Sequence, residues 1–316
     1  MVNFTVAIPT YNGAQRLPKL LERLRSQIDI EGLIWEVIVV DNNSTDQTAE
    51  VVQAYQADWP HGSLRYALEK QQGAAFARQQ AMRLAQSDWV GFLDDDVLPD
   101  PDWIATAYAF SQAYPQAGAY GGQIHGSFEV PPPENFHRIQ SFLAIRERGN
   151  QVRRYEPERL LLPPSAAWVI NRKTWFAAVP QRPTLGGRVK GSMMQGDDYE
   201  PLLYMHRAGW EIWYNPAMQA YHQIPQRRLE RDYLISLSRG CGLCVCHLRM
   251  IAAKSWQKPI IFLKITLGAL KRLVQHWLQH RMQVKPDLVS ACEQAFLMGS
   301  FISSFYFLRS VFLNKS

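Results

Sequence analysis

The stretch Trp89-Val90-Gly91-Phe92-Leu93-Asp94-Asp95-Asp96 decides the fold. Aromatic and β-branched residues run into three aspartates, the pattern of a buried strand ending at a polar edge, where open α/β sheets place their ligands. Three adjacent carboxylates repel one another, so positive charge is expected beside them, either a divalent ion or Arg and Lys partners. The competing reading is a solvated loop that opens a helix, because Pro99 and Pro101 precede Trp103-Ile104.

Upstream, the same pattern occurs twice. Phe4 to Ile8 reads as a buried strand, Pro9-Thr10-Tyr11-Asn12-Gly13 as a turn, and Leu17, Leu20, Leu21 and Leu24 keep a helical period. Trp35 to Val40 is the second strand and ends at Asp41-Asn42-Asn43-Ser44. Ser44 with Gln47 three residues on predicts a capping box for a helix through Ala49, Val52 and Tyr55. Leu64 to Ala67 is a third strand, and Lys70-Gln71-Gln72-Gly73 leads into a helix from Ala74 to Ala85. Arg78 lies in the first turns of that helix, where the dipole does nothing for a cation, so a phosphate or a central aspartate is its expected partner, with plain solvation the alternative. This alternation predicts βαβ units and a parallel sheet.

Downstream, Trp103 to Tyr114 is the next helix, and Ala119 to Gly122 with Ile124 to Phe128 reads as sheet with a glycine bend. Phe142, Leu143 and Ile145 predict a short helix, Ala167 to Asn171 a return to the sheet, and Arg182 to Lys190 a basic loop able to cover a site. Gly196-Asp197-Asp198-Tyr199-Glu200 is a second acidic cluster, followed by a helix that stops at Gly209. Acidic residues in a first turn are favoured by the helix dipole without any chemistry. Ile212 to Tyr214 is a strand, and Ala220-Tyr221-His222 follows Pro216. On its own, a histidine beside a tyrosine is more often a hydrogen-bonded structural residue than a ligand.

The 316 residues, 47% apolar and 20% charged, suffice for a substantial core. Charge is divided unevenly: residues 1–150 carry a net −7 and residues 151–316 a net +13. A catalytic platform with a basic surface region has this balance, and so does a nucleic-acid binder with an acidic domain. Four cysteines and no signal-peptide pattern point to a reducing, cytoplasmic setting, and no uninterrupted apolar run reaches the ~18 residues of a spanning helix. Cys241-Gly242-Leu243-Cys244-Val245-Cys246-His247 gathers four possible zinc ligands, but its spacing is unlike a paired CxxC site, and on a helix Cys241 and Cys244 share one face. Ile260 to His280 sets Ile261, Ile265, Leu273 and Trp277 against a Lys/Arg/Gln/His remainder, and Phe296 to Leu308 is apolar and closed by Arg309. Such helices lie in a membrane interface or pack on protein.

Asp94 and Asp96 are two apart, so in an extended loop they face the same side. One can hold a divalent ion on a diphosphate and another can accept from ligand hydroxyls, leaving a separate carboxylate to remove a proton.

These segments together resemble inverting family-2 glycosyltransferases. Val6-Ala7-Ile8-Pro9-Thr10-Tyr11-Asn12 is similar to the family's first strand and uridine-side loop, and Val37 to Asp46 to its second motif. Gln72-Gly73-Ala74-Ala75-Phe76-Ala77-Arg78 resembles the glycine-led stretch that shapes the donor pocket, and Asp94-Asp95-Asp96 the DXD element. Gly196-Asp197-Asp198 is similar to the late Glu-Asp motif, with aspartate at position 197. The resemblance implies a GT-A nucleotide-sugar-binding fold of class α/β, a mostly parallel central sheet flanked by helices with a C-terminal helical extension. It implies a catalytic domain over 1–225, with a nucleotide-sugar-binding half at 1–125 and an acceptor-side half at 126–225. A basic, amphipathic helical extension follows at 226–316.

By the same resemblance Pro9, Thr10, Tyr11, Asp41, Gly73, Arg78, Asp94 and Asp96 hold the donor, Asp41 on the base and Asp94 on the ribose side. Asp96 and His222 hold Mn2+ or Mg2+, and Asp198 is the general base. The implied partners are a UDP-sugar donor, a saccharide or lipid-linked acceptor, and an anionic membrane contacted peripherally at the inner face. The alternative is a nucleic-acid-binding protein or metal-dependent nuclease using the basic half, which leaves the two acidic clusters unexplained because they repel phosphate.

Overall fold

The computed structural model describes residues 1–187, 193–280 and 287–313. In chain order these form β1 (Phe4–Thr10), α1 (Leu17–Arg25), β2 (Trp35–Asp41), α2 (Thr48–Gln56), β3 (Ser63–Leu68), α3 (Ala74–Leu84), β4 (Trp89–Leu93), β5 (Val97–Pro99), α4 (Trp103–Ala113) and β6 (Ala117–Phe128). There follow β7 (Arg153–Arg154), β8 (Ala167–Asn171), α5 (Arg172–Ala178), α6 (Tyr199–Arg207) and β9 (Glu211–Ile224). The C-terminal helices are α7 (Arg231–Leu243), α8 (Val245–Ala252), α9 (Lys258–His280) and α10 (Leu288–Leu313).

The chain forms two compact units, one of 1–127, 144–186 and 197–223, the other of 128–143, 187–196 and 224–316. In the first, one sheet has the order β3-β2-β1-β4-β8-β6-β9-β5, with β7 added on β9. Strands β3, β2, β1 and β4 are parallel. Every residue of β1, β2 and β4 is buried, which is why these strands read as unbroken apolar runs rather than alternating ones. Beyond β4 the sheet departs from the mostly parallel arrangement expected: β8 pairs antiparallel with β4, and β6 antiparallel with β8. Strand β8 thus lies between β4 and β6, which run in the same direction and are joined in sequence through α4.

Gly91 explains its place in the opening stretch. A Cβ there would lie 2.8 Å from both the Phe4 and the Trp103 rings, which meet edge-on with centroids 6.3 Å apart. Glycine in β4 therefore makes the room in which α4 seats its tryptophan on the sheet. Gly122 has a similar role, since its Cβ would lie 1.9 Å from the Met218 carbonyl of β9. The expected glycine bend is thus absent: β6 runs continuously from Ala117 to Phe128, and its glycines admit a neighbouring backbone. Strand β9 is likewise continuous through Pro216.

The capping box expected at Ser44 and Gln47 does not form. Helix α2 begins after Gln47, and Asp46 accepts the Thr48 N–H at 3.1 Å, while the Ser44 hydroxyl accepts from the Asn12 N–H at 2.8 Å. The basic loop read at Arg182–Lys190 is described as far as Gly187, and 188–190 lie outside the described residues.

In the second unit, α9 and α10 run antiparallel, joined by a hydrogen bond of 2.8 Å between the Thr266 and Ser304 hydroxyls, while His276 and Glu293 approach to 3.8 Å. The Cys244 thiol donates to the Cys241 carbonyl at 3.1 Å, as a small helical side chain does. The single apolar face expected on α9 divides: Ile261, Ile265 and Leu273 are half-buried, but Trp277 is exposed. The stretches Arg231–Ala252 and Leu288–Arg309 reach mean hydropathies of 1.3 and 1.2, long and apolar enough by composition to cross a membrane, a length the sequence reading did not credit. Within the protein 56% and 44% of their most apolar 18-residue windows are buried, and Leu288–Arg309 packs on α7, α8 and α9.

Replacing Gly91 by valine is expected to destabilise the protein by about 1–3 kcal/mol through overpacking between Phe4 and Trp103. Urea unfolding with an unchanged slope and a lower midpoint would agree with this, and an unchanged midpoint would contradict it.

Candidate active site

The site lies at the C-terminal edge of the parallel strands, where the loops after β1, β2 and β4 meet. Asn12 and Asn43 adopt left-handed backbone angles, φ 49° and 63°, which asparagine tolerates better than most residues. The two loops are joined across this turn. The Asn12 carboxamide accepts the Thr45 N–H at 2.8 Å, and the Gly13 N–H donates to the Thr48 hydroxyl at 2.9 Å.

Asp41, at the end of β2, is buried and accepts from the Ser44 N–H at 2.9 Å and the Tyr66 hydroxyl at 2.8 Å. Burial, then Asp41, pushes the Tyr66 phenol up to about 12, so it remains a donor. Asn42 fixes the next loop: its carboxamide accepts the Gly73 N–H at 2.7 Å and donates to the Gln71 carbonyl at 2.7 Å. Gly73 has φ +131°, and a Cβ there would stand 2.5 Å from the Gly186 carbonyl, so both conformation and space select glycine.

The three central aspartates take three different partners. Asp95 is held by the Arg16 guanidinium, with Nε at 2.7 Å and NH2 at 2.9 Å, and by the Thr10 hydroxyl at 2.5 Å. Arg16 also donates to the Tyr11 carbonyl at 3.0 Å, so this ion pair ties the β1 loop to the β4 loop. Asp94 lies 3.8 Å from the Arg78 guanidinium. Asp96 lies 3.5 Å from Nε2 of His222, which β9 presents opposite Val97. Burial foremost pushes the Asp94 and Asp95 carboxyls up from their ordinary values.

Arg78 is buried and donates to Asp197 at 2.6 Å while facing Asp94, so it links the two acidic clusters. The central aspartate expected as its partner, Asp94, is the more distant of the two, and the direct hydrogen bond goes to Asp197, which the sequence reading did not pair with it. The second cluster is also divided by partner. Glu200 is buried and accepts the Thr184 and Leu185 N–H groups at 2.9 and 2.7 Å, fixing the 183–186 segment. Asp198 opens α6 and accepts the Tyr199 N–H at 2.9 Å. Burial, then the neighbouring Asp197 charge, pushes the Asp198 carboxyl up to about 6. A base near neutrality suits removal of a proton from a hydroxyl.

Of the residues read from sequence, Thr10, Asp41, Gly73, Arg78, Asp94, Asp96, Asp198 and His222 all carry bonds or contacts of this edge. Pro9 is buried inside β1, and Tyr11 contributes its carbonyl while its ring is exposed. Arg16, Tyr66 and Asn42 were not read. Arg16 was legible, because it immediately precedes α1 and the dipole argument applied to Arg78 covers it equally.

Among the described residues no group of three or more His, Cys, Asp or Glu side chains converges. Asp96 and His222 form a two-ligand set. The Asp96 carboxylate suits a Mg2+ or Mn2+ ion whose other positions come from phosphate oxygens and water, and the His222 nitrogen is the softer of the two donors.

Residues 5–172, a little over half of the chain, match Glycosyl transferase family 2. The chain belongs to that family and has its GT-A-like fold. The mannosyltransferase PcManGT from Pyrobaculum calidifontis, solved with GDP-Man and Mn2+, aligns with TM-score 0.60 and 19% identity over 96% of this chain and 87% of that one. Staphylococcus aureus TarS 1–349 aligns with TM-score 0.51 and 16% identity over 98% and 92%. These likenesses speak to the fold. In sequence, the glycosyltransferase YfnE of Bacillus subtilis is 39% identical over 101 residues, 32% of this chain and 25% of that protein. The poly(ribitol-phosphate) beta-N-acetylglucosaminyltransferase TarS of S. aureus (strain Mu50) is 34% identical over 112 residues, 35% of this chain and 19% of that protein. The chain thus spans a quarter or less of the length of these two relatives.

Replacing Arg78 by methionine strands the buried Asp197 and removes the cation facing Asp94, and is expected to cost about 3 kcal/mol of stability. The deficit should shrink as pH is lowered, because burial already raises the Asp94 carboxyl and its protonation removes uncompensated charge. Unfolding curves at two pH values test this, and a deficit that grows on acidification would contradict it.

Proposed function

We propose that the chain transfers a hexosyl group from a nucleoside-diphosphate sugar, a UDP-sugar in the first instance, to a hydroxyl of a glycan or lipid-linked glycan, with inversion. The observation that carries this reading is the division of labour among the carboxylates. Arg78 donates directly to Asp197, while Asp198 beside it accepts from the Tyr199 N–H, feels Arg78 only through space, and has a carboxyl raised to about 6. The family membership supports the reaction class, and the relative named a poly(ribitol-phosphate) transferase supports a polymeric acceptor.

In this reading Asp41 receives the base, with Tyr66 and Ser44 fixing its carboxylate. Asp94 faces the ribose, and Arg78 keeps its charge compensated. When bound, Mn2+ or Mg2+ at Asp96 and His222 supplies charge neutralisation for the diphosphate. Asp198 removes the acceptor proton as the hydroxyl oxygen attacks the anomeric carbon. The bond to the diphosphate breaks on the opposite face, so one displacement inverts the configuration. We place this reaction at the cytoplasmic face of a membrane, where lipid-linked acceptors are met.

Asp198→Asn is expected to lower turnover at least ~100-fold while leaving donor affinity within about twofold, because it removes the base and keeps the shape. Wild-type turnover should fall as pH drops through about 6, where Asp198 takes up its proton. Asp96→Asn should instead weaken Mn2+-dependent donor binding. Calorimetry with UDP-sugars and a coupled diphosphate-release assay distinguish the two. Unimpaired turnover in Asp198→Asn would sink its assignment as base.

A further inference from the structure

Helix α9 has three sectors rather than two. Phe262, Ala269, Leu273 and His276 follow a helical period and face inward, Ala269 fully buried and His276 nearly so. A second apolar set, Leu263, Leu267, Leu270, Val274, Trp277 and Leu278, is exposed; Leu267 is 62% exposed, Leu263 58% and Trp277 56%. At 100° per residue this set lies within roughly a 100° arc, well away from the buried face. It extends about 24 Å along the helix. At one edge of the arc stand Lys264 and Lys271, both exposed, with Arg272 beyond them.

The charge around the stripe has one sign. No Asp or Glu occurs between Asp232 and Asp287, whereas Lys254, Lys258, Lys264, Lys271 and Arg272 lie in or just before α9. Burial and the neighbouring Arg272 both pull the Arg249 guanidinium down from its ordinary value, so cations here also crowd one another. An apolar partner of neutral or positive charge leaves that repulsion in place, whereas an anionic one relieves it.

We propose that the exposed stripe of α9 is a docking face for an anionic bilayer, lying in the interface plane with its leucines and Trp277 in the acyl boundary. Lys264 and Lys271 then reach the lipid phosphates from the edge of the stripe, their stems covering apolar surface. The four Lys and Arg residues of this helix suit it to lie on the membrane rather than to span it. The inference deepens the placement of the reaction at a membrane and rests on that placement, but not on the chemistry assigned to Asp198.

The test uses the full chain in flotation with phosphatidylcholine vesicles, with and without phosphatidylglycerol. Two double variants are compared, Leu263→Glu with Leu267→Glu, and Lys264→Gln with Lys271→Gln. Wild type should float with anionic vesicles and only weakly with neutral ones. The leucine variant should lose flotation, and the lysine variant should bind anionic vesicles about thirty-fold more weakly. Because all four positions are exposed, the fold is expected to survive, and slow donor hydrolysis should be unchanged in both variants. Flotation equal in wild type and both variants would overturn the proposal. So would a lipid-free dimer that the leucine variant dissociates, since the stripe would then be covered by a second copy. Flotation as expected with no donor hydrolysis even in wild type would leave the docking face standing and remove the transferase reading instead.

Discussion

The buried Arg78 guanidinium is the constraint on which the rest of the site depends. A cation with so little access to water is tolerable only when carboxylates surround it, and Asp197 at 2.6 Å with Asp94 at 3.8 Å do so. The pair comes from sequence positions more than a hundred residues apart. Folding must therefore bring the segment before α6 up to α3 before either charge is compensated. The same pairing underlies the proposed chemistry: with Asp197 bonded to Arg78, Asp198 is the carboxylate to which we assign the acceptor proton.

Around that centre the polar edge is built mainly from the chain's own hydrogen bonds. Arg16 clasps Asp95 and the Tyr11 carbonyl, Asn42 holds the backbone around Gly73, and Asn12 reaches across to Thr45. A loop fixed in this way loses less freedom when a nucleotide arrives, so more of the binding energy remains for orientation. The middle aspartate of the triplet thus has a structural duty, and its neighbours Asp94 and Asp96 face other partners.

The parallel half of the sheet was legible because a strand buried on both faces leaves an unbroken apolar signature, as in Val37 to Val40. The antiparallel half was less so. Its direction depends on which strand pairs with β4, and nothing local in Ala167 to Asn171 encodes that. Gly122 misled for a similar reason, since a glycine that bends a chain and one that admits a neighbour's carbonyl look alike in sequence. Within the site, the two acidic clusters stood out by type and spacing and the proposed donor-side residues by resemblance, whereas Tyr66 and Asn42 are ordinary residues brought to this edge only by tertiary contact. The split of α9 into buried and exposed apolar faces was hidden too, because composition does not say which leucines find a neighbour.

The account is tested most directly by a carboxyl-carbon NMR titration of aspartate-labelled protein beside its Asp198→Asn variant. A resonance with its midpoint near about 6 in wild type, absent from the variant, is the predicted result. A midpoint that persists in the variant, or an Asp198 that titrates like a solvated aspartate, would contradict the claim that Asp198 is set apart as the base.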